Sequence, residues 1–312
     1  MILFQLSHAA EPIQVDDGYT VSKRFEKYRK LDTTISLPKL SFTEGQLVEF
    51  DLRYAQVGQR ELHLDLFHAV PNKPSKGLII FIHGGGWRAG NKSHFYPLAN
   101  LLAQQGYNVA LPEYRLSIAA LYPAAVDDIE QATQWLLNHS SELGISTSPL
   151  IIGGGSSGGH LATLIGFKNN KQAHLLTDKP IPLYNAVINL DGLLDVTSEL
   201  ALKFENRKGN DSALAKWLGG RYETIPDLWH QVSPVNYINE DAPELLIISS
   251  GQARFTAGKD KTKRLFNENG RTITIIEHEN IIHTFWLFEP YLTNLAADIA
   301  EFLMDVSKIE QE

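Results

Sequence analysis

Two adjacent serines lie in a stretch where a hydroxyl could act as a nucleophile. Residues Ile152–Ala162 read Ile-Gly-Gly-Gly-Ser-Ser-Gly-Gly-His-Leu-Ala, so Gly-x-Ser-x-Gly occurs twice, around Ser156 and around Ser157. In this pattern a strand turns sharply into a helix and exposes the serine above a sheet, with the next backbone N–H facing an oxyanion. The dinucleotide fingerprint Gly-x-Gly-x-x-Gly also fits but is weak by itself. The residues favour a serine nucleophile.

A second glycine run could bind the negative charge that such a reaction develops. Gly84, Gly85 and Gly86 lie between His83 and Trp87, directly after an apolar run. Glycine removes the steric barrier to close approach, so consecutive backbone N–H groups can point at an oxyanion. A flexible turn is the competing interpretation of the three glycines alone.

A serine nucleophile needs a general base. His283 lies after the last predicted strand and just before the final predicted helix, where such a sheet presents a base. His278, closer to the strand, is the alternative. His160 follows the serines by one helical turn and is expected to pack or hydrogen-bond.

The composition narrows the chemistry further. The 312-residue chain contains no cysteine, which excludes thiolate nucleophiles, disulfides and zinc–thiolate sites. The formal net charge is −8, without a basic run, so nucleic acid is not an expected partner. No His-Glu-x-x-His is present, and we expect neither a metal nor another cofactor. No apolar run reaches the roughly 18–20 residues of a membrane span, so none is expected.

Apolar strand patterns alternate with helical patterns along the chain. Parallel strands are predicted at Leu78–Ile82, Asn108–Leu111, Leu150–Ile152, Ala186–Leu190, Leu245–Ile248 and Thr272–Ile276, after an antiparallel strand over 62–68. Helices are predicted at Tyr96–Gln105, Pro123–Asn138, Leu161–Phe167, Lys259–Asn267 and Tyr291–Val306. This order predicts an α/β fold with a mostly parallel sheet and helices on both faces. Ligands then bind beyond the carboxyl ends of the strands, where the glycine runs and His283 fall.

Together the motifs resemble the α/β-hydrolase superfamily, and within it the hormone-sensitive-lipase-like and feruloyl-esterase-like (BD-FAE-type) carboxylesterases. The resemblance runs in order over about residues 45–305 and rests on His83–Trp87, Glu113–Leu116, Tyr122–Asp128, Ser156–Ala162 and Ser233–Pro234. It implies the α/β-hydrolase fold with a small helical cap, and it sets the nucleophile at Ser156. It also implies His283 as the base and the N–H groups of Gly85, Gly86 and Ser157 as oxyanion donors.

The acid of the family pattern is missing where it is expected. The stretch Ser250–Lys259, after the strand at Leu245–Ile248, contains no carboxylate, and Arg254 stands at the aspartate position. Asp191 directly follows the strand at Ala186–Leu190 and is the preferred acid. Asp260, at the start of the next helix, is the alternative. A Ser-His dyad or an inactive protein is left open, and Asp191 before a glycine also fits a plain turn.

Flanking residues suggest a pocket and a cap. Trp87, Phe285 and Trp286 are predicted to line the substrate pocket, although they would equally cover strand ends. We expect residues 1–44 to form an N-terminal arm and residues 45–306 the hydrolase domain, with a cap insertion at about 194–232.

The N-terminus bears on location. Its first ten residues are a short apolar stretch followed by small residues, which fits either a truncated signal peptide or a frayed terminus. A cytoplasmic location is favoured over a periplasmic or secreted one.

The expected function is hydrolysis of carboxylic esters, with short acyl groups, through an acyl-enzyme. The alternatives are amide or formamide hydrolysis on the same fold and a non-catalytic binding protein. A small-molecule ester is the expected partner, and a homo-oligomer is left open.

Overall fold

The protein is built around a mixed, mostly parallel sheet. A computed structural model describes residues 16–71, 74–172 and 183–309. The strands of this part are β1 Val48–Val57, β2 Arg60–Phe67, β3 Leu78–Ile82, β4 Asn108–Pro112, β5 Leu150–Gly155, β6 Ala186–Leu190, β7 Glu244–Ser249 and β8 Ile273–Glu277. They form one sheet in the order β1-β2-β4-β3-β5-β6-β7-β8. β2 is antiparallel to both neighbours, and the pairs from β4 to β8 are parallel.

Helices cover both faces of this sheet. They are α1 Val21–Tyr28, α2 Tyr96–Gln104, α3 Ala124–Leu143, α4 Ser157–Gln172, α5 Glu199–Asn206, α6 Ala213–Leu218, α7 Pro226–Gln231, α8 Lys259–Glu268 and α9 Tyr291–Ile309. Short 3-10 helices lie at Lys92–Phe95, Gly209–Asp211, Pro234–Tyr237 and Phe285–Leu287. Helices α3, α4 and α8 contribute to the core on one face, and α1, α2 and α9 to the core on the other.

The parallel strands are buried on both sides, which explains their continuous apolar sequences. Ile80 of β3 and Ile152 of β5 pack into the core of the α3–α4 face. Their neighbours Ile79 and Ile151 pack into the core of the α2–α9 face. All four are fully buried, and each such side chain contributes about 1.5–3 kcal/mol of hydrophobic stabilisation.

The predicted alternation of strands and helices is confirmed. Helix α1 and strand β1 lie outside the predicted elements, and the predicted elements differ from the observed ones at their ends. The helix predicted at Leu161–Phe167 begins at Ser157 and continues to Gln172. Its first turn contains two glycines and its last turns are polar, so intrinsic helix propensity and apolar periodicity are both weak at its ends. The helix predicted to end at Asn138 continues to Leu143, where Gly144 ends it in a left-handed conformation.

The N-terminal arm and the predicted cap lie beside the strand ends. In the described part of the arm, Asp16 forms an ion pair with Arg88 at 2.9 Å, and Ser36 pairs with Glu289 through backbone hydrogen bonds. The segment 194–232 contains α5, α6 and α7. The interpretation of the first ten residues lies outside the described residues, and the domain boundaries stay predictions. No described helix has the length and apolar character needed to cross a membrane.

Candidate active site

Ser156 occupies a sharp turn between β5 and α4. Its φ of 56° is in the left-handed region, which a non-glycine residue adopts only where the surroundings hold it. Its backbone N–H donates to the carbonyl oxygen of Leu190 at 2.8 Å. The turn also requires a small residue at Gly158, because a Cβ there would lie 2.1 Å from the carbonyl oxygen of Ile82. The glycines of the motif therefore let α4 start directly against β3.

A continuous hydrogen-bonded chain joins Ser156, His283 and Asp191. Ser156 Oγ lies 2.9 Å from His283 Nε2, and His283 Nδ1 lies 2.9 Å from Asp191 Oδ2. The backbone N–H of Ser250 donates to the other carboxylate oxygen, Oδ1, at 2.8 Å. Because the buried carboxylate accepts from Nδ1–H, the lone pair of Nε2 faces the serine hydroxyl. This is the arrangement that a general base needs.

The imidazole of His283 is held by rings as well as by hydrogen bonds. The ring of Phe255 stacks on it with centroids 3.3 Å apart and planes 7° apart. The indole of Trp286 meets it edge-on at 5.5 Å. The guanidinium of Arg254 lies 4.0 Å from the centroid of Phe255. The residue at the expected acid position thus stacks on the aromatic ring that contacts the histidine.

Burial lowers the pKa of His283, since a charged imidazolium is poorly solvated there. The hydrogen bond and the charge of Asp191 raise this pKa, whereas the positive charges of Arg254 and Lys27 lower it. The net direction is downward. The imidazole is therefore in its neutral, proton-accepting form at neutral pH.

Backbone donors stand next to the serine hydroxyl. The N–H of Ser157 is the first of α4, so helix geometry leaves it without an intrahelical acceptor. Gly86 lines the same cavity as both serines and has a φ of 63°. In the part of the chain that the structure describes, the N–H groups of Gly86 and Ser157 donate to no protein acceptor. Gly85 is not among the residues that line this cavity, and its oxyanion role stays a prediction.

His83 supports the glycine loop. Its Nδ1 lies 2.9 Å from the carbonyl oxygen of Gly84, and its ring stacks on Tyr114 at 4.5 Å. The Tyr114 hydroxyl donates to the carbonyl oxygen of His83 at 2.8 Å. Burial lowers the pKa of His83 to about 4, so the ring is neutral. We assign it to holding the loop in place.

A cavity of about 180 Å³ opens beside Ser156. The predicted pocket residue Trp87 lines it and stacks on Trp217 of α6 at 5.1 Å. The segment after β6 supplies much of the remaining wall, through the apolar residues Leu193, Ala201, Phe204 and Ala213 and the charged residues Glu205 and Lys208. The segment predicted as a cap therefore shapes the space next to the serine.

Phe285 and Trp286 do not line this cavity, so this part of the pocket prediction differs from the structure. Phe285 is 0% exposed and Trp286 is 1% exposed. The 3-10 helix that starts at Phe285 turns both side chains into the core on the α2–α9 face. Trp286 packs against β5, where a Cβ on Gly155 would lie 2.6 Å from its indole. Besides Trp87, the lining contains the aromatic residues Phe204 and Phe255, which lie in no recognised sequence motif and were not predicted there.

The other histidines and the alternative acid that the sequence suggested lie outside the hydrogen-bonded chain of the described site. The ring of His278 packs against Phe285 at 5.6 Å, and Asp260 is exposed in the first turn of α8. His160 Nε2 lies 2.7 Å from the carbonyl oxygen of Val232, and burial lowers its pKa to about 4. Among the described residues, none of these three side chains hydrogen-bonds Ser156 or His283. No described group of three or more His, Asp or Glu side chains is placed to hold a metal ion.

Comparison with known sequences assigns the family. The sequence model of one family, described as BD-FAE, matches residues 64–260, more than half of the chain. The chain belongs to the BD-FAE family. The matched part of this BD-FAE member includes both glycine runs and Asp191, and it ends before His283.

Named relatives of this BD-FAE member are esterases. It is 28% identical over 210 residues to the probable carboxylic ester hydrolase LipM of Mycobacterium tuberculosis, covering 64% of this chain and 46% of LipM. It is 23% identical over 276 residues to the esterase LipQ of the same organism, covering 81% of this chain and 61% of LipQ. The chain thus spans about half to three-fifths of the length of these curated relatives.

Solved structures agree on the fold. The thermophilic esterase Est2 of Thermogutta terrifontis, solved with propionate bound, is similar with a TM-score of 0.66 at 22% identity. The match covers 86% of this chain and 96% of Est2. The α/β-hydrolase fold predicted for this BD-FAE member is confirmed.

Proposed function

We propose that the chain hydrolyses carboxylic esters through an acyl-enzyme formed on Ser156. The observation that carries this proposal is the chain of two 2.9 Å contacts from Ser156 Oγ through His283 to Asp191 Oδ2. These three hydrogen-bonded side chains lie beside a cavity that a small ester can enter. The esterase names of LipM and LipQ support the same reaction class.

In the first half of the reaction, Ser156 Oγ attacks the ester carbonyl carbon while His283 Nε2 takes the hydroxyl proton. The carbonyl π electrons move onto oxygen and give a tetrahedral oxyanion. His283 becomes an imidazolium, which the carboxylate of Asp191 stabilises while it keeps the ring oriented. When the intermediate collapses, the C–O bond to the alcohol breaks and His283 returns the proton to the leaving oxygen.

The oxyanion is stabilised by the backbone N–H groups of Gly86 and Ser157. Both are fixed before the reaction, so no reorganisation is required when the charge develops. The N-terminus of α4 adds a favourable dipole to the Ser157 donor. Loss of one such donor typically costs about 3–4 kcal/mol of transition-state stabilisation.

In the second half, water replaces the departed alcohol. His283 Nε2 accepts a proton from the water as its oxygen attacks the acyl carbon, and the same N–H groups hold the second oxyanion. Collapse breaks the bond to Ser156 Oγ, which recovers its proton from His283, and the carboxylic acid leaves. The enzyme returns to its starting state without a cofactor.

The cavity beside Ser156 supports short acyl groups. Its volume is only about 180 Å³, and the apolar side chains Trp87, Leu193 and Phe204 are part of its lining. Neither amide hydrolysis nor a purely binding role has a specific observation in its favour.

A fluorophosphonate probe tests the activated serine. Wild-type protein should be labelled, Ser156→Ala should not, and Ser146→Ala, which removes a hydroxyl from a distant loop, should be labelled like wild type. The Thermogutta terrifontis esterase 2 is known in a form phosphorylated by paraoxon, a reagent of related chemistry. Folded wild-type protein that resists the probe and leaves short-chain 4-nitrophenyl esters intact would contradict the proposal. A parallel panel of matched anilides separates ester from amide hydrolysis.

A further inference from the structure

A second, larger cavity lies on the histidine side of the site. Its volume is about 710 Å³, and it is lined by α1, by the loop after β7 and by His283. Arg254 and Phe255 line both this cavity and the smaller one beside Ser156, so they stand between the two spaces. The nucleophile therefore borders one space and the proton carrier borders the other.

Two cations on the wall of the larger cavity, Lys27 of α1 and Arg254, lack a carboxylate partner. In the described part of the chain, neither forms an ion pair within 4.0 Å. Lys27 Nζ lies 5.0 Å from the ring centroid of its neighbour Tyr28. The guanidinium of Arg254 lies 4.0 Å from the centroid of Phe255 and 5.6 Å from that of Phe204. Aromatic contacts orient both cations while their N–H donors stay available.

These positive charges act on one another and on the histidine. The pKa of Lys27 is lowered by burial and by the charges of Arg24 and Arg254. The charges of Arg254 and Lys27 also lower the pKa of His283. Both side chains are exposed, so solvent screens part of this repulsion, and an anion that enters the cavity can reach both cations.

The acids that line the same cavity do not pair with these cations. Asp32 accepts hydrogen bonds from the Thr34 hydroxyl at 2.6 Å and the Tyr291 hydroxyl at 2.7 Å. Glu279 is exposed to solvent, as Lys27 and Arg254 are. Within the described residues, neither carboxylate comes within ion-pair distance of Lys27 or Arg254.

The direction of proton transfer identifies the part of the substrate that reaches this cavity. The leaving oxygen must receive its proton from His283 Nε2, so the alcohol departs on the side that His283 borders. The acyl group stays bonded to Ser156 and remains beside the smaller cavity. A guanidinium and an ammonium on the leaving-group side are suited to a carboxylate or a similar oxyanion.

Accordingly, we infer that the larger cavity binds the alcohol portion of the ester and that Lys27 and Arg254 bind an anionic group on that portion, in the simplest case a carboxylate. The inference rests on the proposed ester hydrolysis and specifies its substrate class. It also gives the N-terminal arm a direct part in substrate binding through Lys27.

A matched pair of acetyl esters tests the inference: 4-acetoxybenzoate, whose alcohol portion is anionic, and 4-acetoxybenzamide, its neutral counterpart. A second pair places the charge on the acyl side: the 4-nitrophenyl monoester of glutaric acid and 4-nitrophenyl pentanoate. The readout is the ratio of kcat/KM for the charged over the neutral member of each pair. Because both cations affect the pKa of His283, rates are compared at pH values where the neutral ester's rate no longer changes.

The variants are Arg254→Gln and Lys27→Gln, with Lys30→Gln as the matched control on an exposed position of the same arm. Loss of a charge-assisted hydrogen bond should lower the ratio for the alcohol-side pair about tenfold in Arg254→Gln and about threefold or more in Lys27→Gln, mainly through KM. The Lys30→Gln ratio should equal that of wild type. Added salt should reduce the wild-type ratio, and it should reduce the Arg254→Gln ratio less, because only Lys27 remains to be screened there.

Equal ratios in wild type and both variants would overturn the inference, as would an equal loss in Lys30→Gln. A charge response confined to the acyl-side pair would overturn the assignment to the leaving group. If wild-type protein hydrolyses neither neutral ester, the proposed function fails separately. Calorimetry with 4-hydroxybenzoate and 4-hydroxybenzamide then tests anion binding in the larger cavity without catalysis. Binding of the benzoate that is lost in Arg254→Gln supports the inference, whereas equal binding of both compounds, or binding of neither, contradicts it.

Discussion

Asp191 and His283 are 92 residues apart in sequence, yet Asp191 Oδ2 lies 2.9 Å from His283 Nδ1. Asp191 follows β6, the strand next to β5, which leads into Ser156. The loop after β7, where the family pattern expects the acid, instead supplies Phe255 to the face of the imidazole and Arg254 to the ring of Phe255. The carboxylate and the aromatic ring that contact His283 thus lie in the loops that follow two adjacent strands.

Asp191→Asn should lower kcat/KM for a short-chain ester about 10³- to 10⁴-fold, because an amide neither stabilises the imidazolium nor selects the required tautomer. Steady-state kinetics at equal folded fraction measure the loss. Asp260→Asn, at the exposed alternative position, should match wild type. Full turnover by Asp191→Asn would remove Asp191 from the mechanism.

Arg254→Gln should move the acidic limb of the pH profile of kcat/KM to higher pH. The positive charge of Arg254 lowers the pKa of His283, so its removal raises that pKa and the neutral base appears at higher pH. A neutral ester is used so that only the base is observed. Arg264→Gln, on the exposed side of α8, should leave the limb in place. A shift to lower pH, or none, contradicts this assignment.

Phe255 is expected to position His283. Phe255→Leu should lower kcat/KM about 10- to 100-fold through kcat, because the imidazole loses the flat surface 3.3 Å from its ring. Phe255→Tyr preserves that surface and should restore most of the rate. Comparable losses in both variants, or a loss in KM alone, would contradict a positioning role.

Gly158→Ala should destabilise the fold by about 2–4 kcal/mol, since the added Cβ would lie 2.1 Å from the carbonyl oxygen of Ile82 and α4 must move. Urea denaturation measures the free energy of unfolding. Gly144→Ala is the control: its φ of 64° is strained for alanine, but nothing lies within 4 Å of the new Cβ. That variant should lose only about 1 kcal/mol. Equal losses would mean that close approach at Gly158 is unimportant.

Much of the fold could be predicted because the parallel strands are buried on both faces. Continuous apolar runs such as Leu78–Ile82 and Ala186–Leu190 identify such strands without tertiary information, and the observed bounds are the same. The ends of α4 were harder to predict. Gly158 and Gly159 weaken helix propensity there, and the close packing that requires them is a tertiary contact.

The pocket shows the limit of local patterns. Trp87 was predicted on the lining and lies there, because it follows the glycine loop directly. Phe285 and Trp286 follow His283 just as closely, but a 3-10 helix turns them into the core. Adjacency in sequence cannot distinguish these cases, since the direction of a side chain depends on the path of the chain after the strand.

The sequence by itself determined the fold class, the turn that exposes Ser156 and the prediction of His283 as the base. Short-range patterns of glycine and apolar residues, together with the order of the strands, carry that information. Only the tertiary structure showed that Asp191, and not Asp260, contacts His283. It placed Phe255 on the face of the imidazole. It also brought Lys27 and Arg254, 227 positions apart in the chain, to one cavity. These relationships depend on which strands are neighbours and on where each loop crosses the sheet edge, and those distances are decided only when the whole chain packs.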